Sequence, residues 1–155
     1  MWGYKNLKRK RIMLVGPEFI GKRLISNKLN GENSDKKTSN IIYRKNTIDI
    51  PGSYIESPWR RINIISTQQD ANLIIFISNL CQKKRTYPPN FAKSFRMKVI
   101  GLSFASIKDH EINLNGELED AKVDCIYNVS IDSEEEINDF CEYILDYYKH
   151  LLERE

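Results

Sequence analysis

At 155 residues, 41% hydrophobic and 29% charged, the chain has the size and balance of one soluble globular domain. A formal net charge of +3 is too small to suggest a nucleic-acid partner, and the longest wholly apolar run, Leu73 to Ile77, is far too short to cross a bilayer. Cys81, Cys125 and Cys141 are widely spaced with no C-x-x-C pair, so neither a disulfide framework nor a zinc site follows. No apolar segment of signal-peptide length precedes the first strand, and a cytoplasmic location is expected.

In chain order, Lys5, Lys8, Arg9, Lys10 and Arg11 read as a solvated basic flank before a buried strand at Ile12 to Val15, with contact to an acidic partner as the lesser reading. Gly16 closes that strand, and a helix is expected from Gly21 to Asn30, stopped by Asn30-Gly31. After a polar loop from Glu32 to Lys37, two short extended pieces around Asn40 to Arg44 and Asn46 to Ile50 suggest a hairpin, broken by Pro51-Gly52. A weak helix is expected from Trp59 to Gln68. Asn72 to Asn79 is β-branched and apolar on both faces, as a central parallel strand should be. The stretch CQKKRTYPPNF is irregular because Pro88-Pro89 forbids regular structure. Lys98 to Phe104 reads as a buried strand, Asp109 to Ala121 as a mediocre helix interrupted by Gly116, and Asp124 to Ser130 as the last strand. Ser133 and Glu136 form a capping box for a final amphipathic helix whose apolar face runs from Ile137 to Leu152. Alternating strands and helices argue for an α/β sheet domain.

The stretch RIMLVGPEFIGKRL, Arg11 to Leu24, carries the chemistry. Gly16, Gly21 and Lys22 meet the frame G-x-x-x-x-G-K-[ST] of a phosphate-binding P-loop, and Arg23 stands where that frame requires Ser or Thr. One hairpin later comes Asp49-Ile50-Pro51-Gly52. In P-loop nucleotidases an Asp here holds Mg²⁺ and the Gly senses the terminal phosphate. Thr38 lies where GTPases keep a metal-binding threonine; its other reading is an ordinary polar loop residue.

These residues, with Leu29-Asn30-Gly31-Glu32, Lys36-Lys37-Thr38, Asp49 to Tyr54 and above all Tyr87-Pro88-Pro89-Asn90-Phe91-Ala92, give nearly the whole chain a likeness to one family. It resembles EutP and PduV, small Ras-like P-loop proteins of ethanolamine and propanediol utilisation tied to bacterial microcompartments. The resemblance implies a three-layer Ras-like fold over residues 1–155, with a mostly parallel six-stranded sheet, helices on both faces and nucleotide binding at the P-loop.

Departures from the family pattern cluster at the site. Glu18 places a negative charge where a terminal phosphate would lie. Phe19 stands where the family has Gly, a position expected to need positive φ. Ser103 to Ile107 holds neither the Lys nor the Asp of the guanine-reading T/N-K-x-D segment, so selectivity for GTP is expected to be lost. Two readings of Arg23 are open: an ion pair with Asp49, the guanidinium taking the metal's place, or a side chain turned to solvent. Lys22 is either a phosphate ligand or a helix-start lysine capping loop carbonyls.

The candidate nucleotide-binding residues are therefore Gly16, Gly21, Lys22, Arg23, Thr38, Asp49 and Gly52, with no catalytic group and no metal ligand expected. The cofactor implied is ATP or GTP, held weakly; Mg²⁺ is poorly supported. A silent P-loop domain that binds microcompartment shell or enzyme proteins is favoured, with Tyr87-Pro88-Pro89 as either a docking loop or a stiff connector. The competing class is an active nucleotide-dependent enzyme, a weak ATPase or GTPase or an acetate-kinase-like phosphoryl transferase.

Overall fold

The computed structural model describes residues 9–34, 39–79, 85–105 and 116–154; Thr38, Cys81, Lys5, Lys8 and the first part of the helix expected from Asp109 lie outside them. Six strands form one sheet in the order β2-β3-β1-β4-β5-β6. They are β1 (Arg11–Val15), β2 (Ile42–Tyr43), β3 (Thr47–Asp49), β4 (Ala71–Asn79), β5 (Val99–Ala105) and β6 (Cys125–Ser130). Only the β2–β3 hairpin pairs antiparallel; every other neighbour is parallel. The helices are α1 (Ile20–Asn30), α2 (Gly52–Glu56), α3 (Arg61–Thr67), α4 (Gly116–Ala121) and α5 (Glu134–Glu153).

Strand alternation sorts the core into two layers. Ile12, Leu14, Leu73, Ile75, Ile77, Ile100 and Leu102 point to one face, where α1 and α5 cover them with Ile25, Leu29, Ile137, Phe140 and Ile144. Met13, Val15, Ile48, Ile74, Phe76 and Val99 point to the other, beneath Ile55 of α2, Ile64 of α3 and Leu118 of α4. Parallel strands buried on both faces explain why Leu73 to Ile77 is apolar without alternation. The three-layer α/β architecture expected from the sequence is the one found.

The differences are local. Arg11 is not part of a solvated flank: it is the first residue of β1, 3% exposed, and its Nε donates to Arg44 O at 2.7 Å. Burial lowers its pKa, with the neighbouring Arg9 charge acting in the same direction. Pro51 ends the extended run, and the short helix α2 that follows it was not anticipated. At the start of α5, Ser133 Oγ accepts from Glu136 N at 3.2 Å, but Glu136 Oε2 accepts from Ser130 N at 3.2 Å instead of closing the box on Ser133. Tyr148 near the end of α5 donates to Lys10 O at 2.6 Å and ties this helix to the entry of β1.

Cys141 is buried among the apolar residues of α5, and desolvation pushes its thiol from 9.0 up to about 12. Burial also raises Tyr87, and raises Tyr43 to about 12. In each case the folded state holds its proton longer than the unfolded chain, so stability is complete below about pH 9 and is lost as pH rises toward 12. Lys22, whose pKa is lowered, opposes this trend. Urea melts at pH 8 and pH 11 should give a clearly lower unfolding free energy at the higher pH. Cys141→Ala should reduce that loss.

Candidate functional site

The P-loop leaves the carboxyl end of β1 at a crowded point. Gly16 has φ +150°, and a Cβ built there would lie 2.6 Å from Ile77 O. The requirement is therefore both conformational and steric. Beside it, the Tyr87 hydroxyl lies 2.9 Å from Val15 O and 2.7 Å from Ile77 O, pinning the ends of β1 and β4 together. The Tyr87 ring is 2% exposed and stacks on Phe76, centroids 4.7 Å apart and planes within 9°. Glu117 of α4 accepts from Tyr87 N at 2.7 Å, from Thr86 N and from Ser78 Oγ, fixing this segment from below. The exposed aromatic expected of a docking loop is not found at Tyr87: its ring faces the core, and of Tyr87-Pro88-Pro89 only Pro89 is exposed.

Lys22, in the first turn of α1, is 5% exposed. Its ammonium donates to Gly16 O at 2.8 Å, to Ile50 O at 2.5 Å and to Glu18 Oε1 at 3.0 Å. An ammonium has three protons, so the chain's own acceptors engage all of them. Burial pulls the Lys22 pKa down, and the Glu18 carboxylate pulls it back up. Glu18 is thus not simply repulsive, as the sequence suggested. It is the counter-ion of the P-loop lysine, and its Oε1 also accepts from Gly52 N at 2.9 Å.

Asp49, at the end of β3, sits across the same cavity. Its Oδ2 accepts from Ser26 Oγ at 2.6 Å and its Oδ1 from Thr47 Oγ1 at 2.8 Å. The nearest cation is Arg44, whose Nη1 is 3.7 Å from Asp49 Oδ2 and donates to Ser26 Oγ at 2.6 Å and Asn27 Oδ1 at 3.0 Å. Arg44 Nη2 reaches Glu32 Oε2 at 3.2 Å. The ion pair with Asp49 in one of the two readings of Arg23 is made instead by Arg44, because the β2–β3 hairpin sets Arg44 opposite Thr47, on the strand face that Asp49 shares. Arg23 is half-buried on the cavity wall. Ser26, one helical turn beyond Arg23, brings a hydroxyl to Asp49 Oδ2. Sequence reasoning missed both Ser26 and Arg44. The i,i+3 spacing from Arg23 could have flagged the serine.

The cavity bounded by these groups measures about 240 Å³ and is lined by Glu18, Lys22, Arg23, Ser26, Arg44 and Asp49, among others. It does not fit the metal of a nucleotidase. A guanidinium stands beside the carboxylate, and Arg23 replaces the liganding hydroxyl.

The base-binding side differs as well. Phe19 has φ −163°, an extended backbone open to any residue, so the positive φ expected there is not needed. Its ring lies over Gly21, where a Cβ would meet Phe19 Cε2 at 2.5 Å, and packs edge-on against Phe104 at 5.5 Å. Phe104, from the departed guanine-reading segment, therefore meets the P-loop through an aromatic pair.

A family model described as "Ethanolamine utilisation - propanediol utilisation", PduV-EutP, matches residues 9–146. The chain belongs to the PduV-EutP family. One curated relative, the propanediol utilization protein PduV of Citrobacter freundii, is 32% identical over 94 residues, 60% of this chain. The matched region spans 63% of that relative's length. Among solved structures, the FeoB G-domain from Methanococcus jannaschii aligns with a TM-score of 0.61 at 17% identity, over 92% of this chain and 99% of that one. A probable GTP-binding protein engB aligns with a TM-score of 0.56 at 14% identity, over 90% and 99%. These likenesses establish the Ras-like P-loop fold for this PduV-EutP member. Among the described residues no helix is long and apolar enough to cross a membrane.

Proposed function

We propose that this PduV-EutP member is a non-hydrolysing P-loop protein of ethanolamine or propanediol utilisation, acting as a binding or scaffold domain. Its partners are microcompartment shell or enzyme proteins, its place is the cytoplasm at such a compartment, and residues 1–155 form one domain. The observation that carries the reading is the state of Asp49, whose carboxylate is engaged by Ser26, Thr47 and the Arg44 guanidinium. Phosphoryl transfer needs a metal and free positioned charge at this point, and here the chain's own side chains take both roles.

The second reading, an active nucleotide-binding enzyme, has the retained Gly16, Gly21 and Lys22 in its favour. A thermal shift with ATP, GTP and GDP, each with and without Mg²⁺, separates the two. Ligand at a hundredfold over Kd adds about 2.7 kcal/mol, several degrees for a domain this size. The expected result is no shift that depends on Mg²⁺, together with no phosphate release. A Mg²⁺-dependent shift accompanied by turnover would establish the enzyme.

A further inference from the structure

A single oxygen, Glu18 Oε1, accepts from Lys22 Nζ at 3.0 Å and from Gly52 N at 2.9 Å. In nucleotidases with this loop, the lysine and the region of the D-x-x-G glycine are the parts that grip and sense the terminal phosphate. We propose that the Glu18 carboxylate is a built-in counterpart of that phosphate, holding the Asp49-to-Gly52 segment against the P-loop without nucleotide and turning triphosphates away. The proposal rests on the silent-site reading above and adds a cause for it on the phosphate side, independent of the metal side.

Three observations converge. Lys22 is 5% exposed, and its remaining protons go to Gly16 O and Ile50 O, so a phosphate oxygen reaches it only by displacing Glu18. The loops themselves touch: a Cβ on Gly52 would lie 2.9 Å from Glu18 N and 3.3 Å from Pro17 Cα, which leaves no room between them for a phosphoryl group. Finally, Ile50 N donates to Leu14 O at 3.1 Å and Ile50 O accepts from Lys22, so the segment leading to Gly52 is anchored to β1 and α1 as well. The consequence is a segment ordered as by ligand, with no ligand to release.

The Glu18 side chain is 61% exposed, and Lys22 keeps Gly16 O and Ile50 O as acceptors when Glu18 is replaced, so the fold is expected to survive the substitution. Amide hydrogen exchange on the ligand-free protein is the direct test, with exchange in β4 as the control for folding. In the parent the Gly52 amide should be protected. In Glu18→Ala it should exchange about tenfold faster, the effect of losing a hydrogen bond to a charged acceptor. Glu18→Gln, whose carbonyl still accepts from both donors, should fall between the two. An unchanged Gly52 rate in Glu18→Ala overturns the proposal, as does a parent that binds ATP or GTP tenfold more tightly than ADP or GDP. Turnover by the parent would overturn the silent-site reading, while a Glu18-dependent Gly52 rate would still establish the contact.

Discussion

Tyr87→Ala is expected to destabilise the protein by about 3–5 kcal/mol, the range for removing a large buried aromatic side chain. For a chain of 155 residues this lowers Tm by on the order of 10 °C. Two separate losses add up at this position. The ring is stacked between Phe76 and the carboxyl ends of β1 and β4, and Phe76 in turn contacts Phe91 and Phe95, so the cavity opens inside an aromatic cluster that cannot collapse freely. The hydroxyl also serves Val15 O and Ile77 O at the point where the P-loop begins. Tyr87→Phe separates these terms: it keeps the ring and should cost only about 1–2 kcal/mol. Denaturant melts of the two variants check both figures. Equal losses in Tyr87→Phe and Tyr87→Ala would mean that the hydroxyl, not the ring, carries the packing.

The sheet was legible in the sequence because β-branched runs buried on both faces leave little choice of structure. The strand found at Ala71–Asn79 begins one residue before the expected Asn72 start. Helix α1 was legible from its apolar spacing and its Gly31 stop, which has φ 65°. The site was legible only in part. Lys22, Arg23 and Asp49 line one cavity, Gly16 and Gly21 bracket the loop beside it and Gly52 lies against Glu18, because a P-loop frame fixes where a strand hands over to a helix. What each side chain does there was not legible. Whether Glu18 repels a ligand or binds Lys22 depends on side-chain rotamers, although the i,i+4 spacing of the two residues allowed the pair. The role of Arg44 depends on a hairpin that brings it to α1 from 18 residues beyond Ser26. Tyr87 was hard to place because no periodicity tells which way an aromatic points in a segment stiffened by two prolines.

Arg44→Ala is expected to cost about 3 kcal/mol, close to the lower figure for breaking a buried charge pair by removing one partner. The Arg44 side chain is 11% exposed and the Asp49 side chain 23%, so water screens this pair far less than a surface pair. Removing the guanidinium strands several acceptors at once, Asp49, Ser26 Oγ and Asn27 Oδ1 around Nη1, while Glu32, 58% exposed, turns to water. Ser26 and Thr47 continue to donate to Asp49, which is why the loss stops short of the full penalty for an isolated buried charge. Arg44→Lys should recover less than half of the loss, because a compact ammonium cannot fork between α1 and Glu32 as a guanidinium does. Combining Arg44→Ala with Asp49→Ala should reveal a coupling energy of about 1–3 kcal/mol, since the second removal relieves the charge left unmatched by the first. The same cycle built on Arg23→Ala and Asp49→Ala should be additive within about 0.5 kcal/mol. Strong coupling through Arg23 and none through Arg44 would reverse the assignment and return the metal's position to the residue that replaced the P-loop hydroxyl.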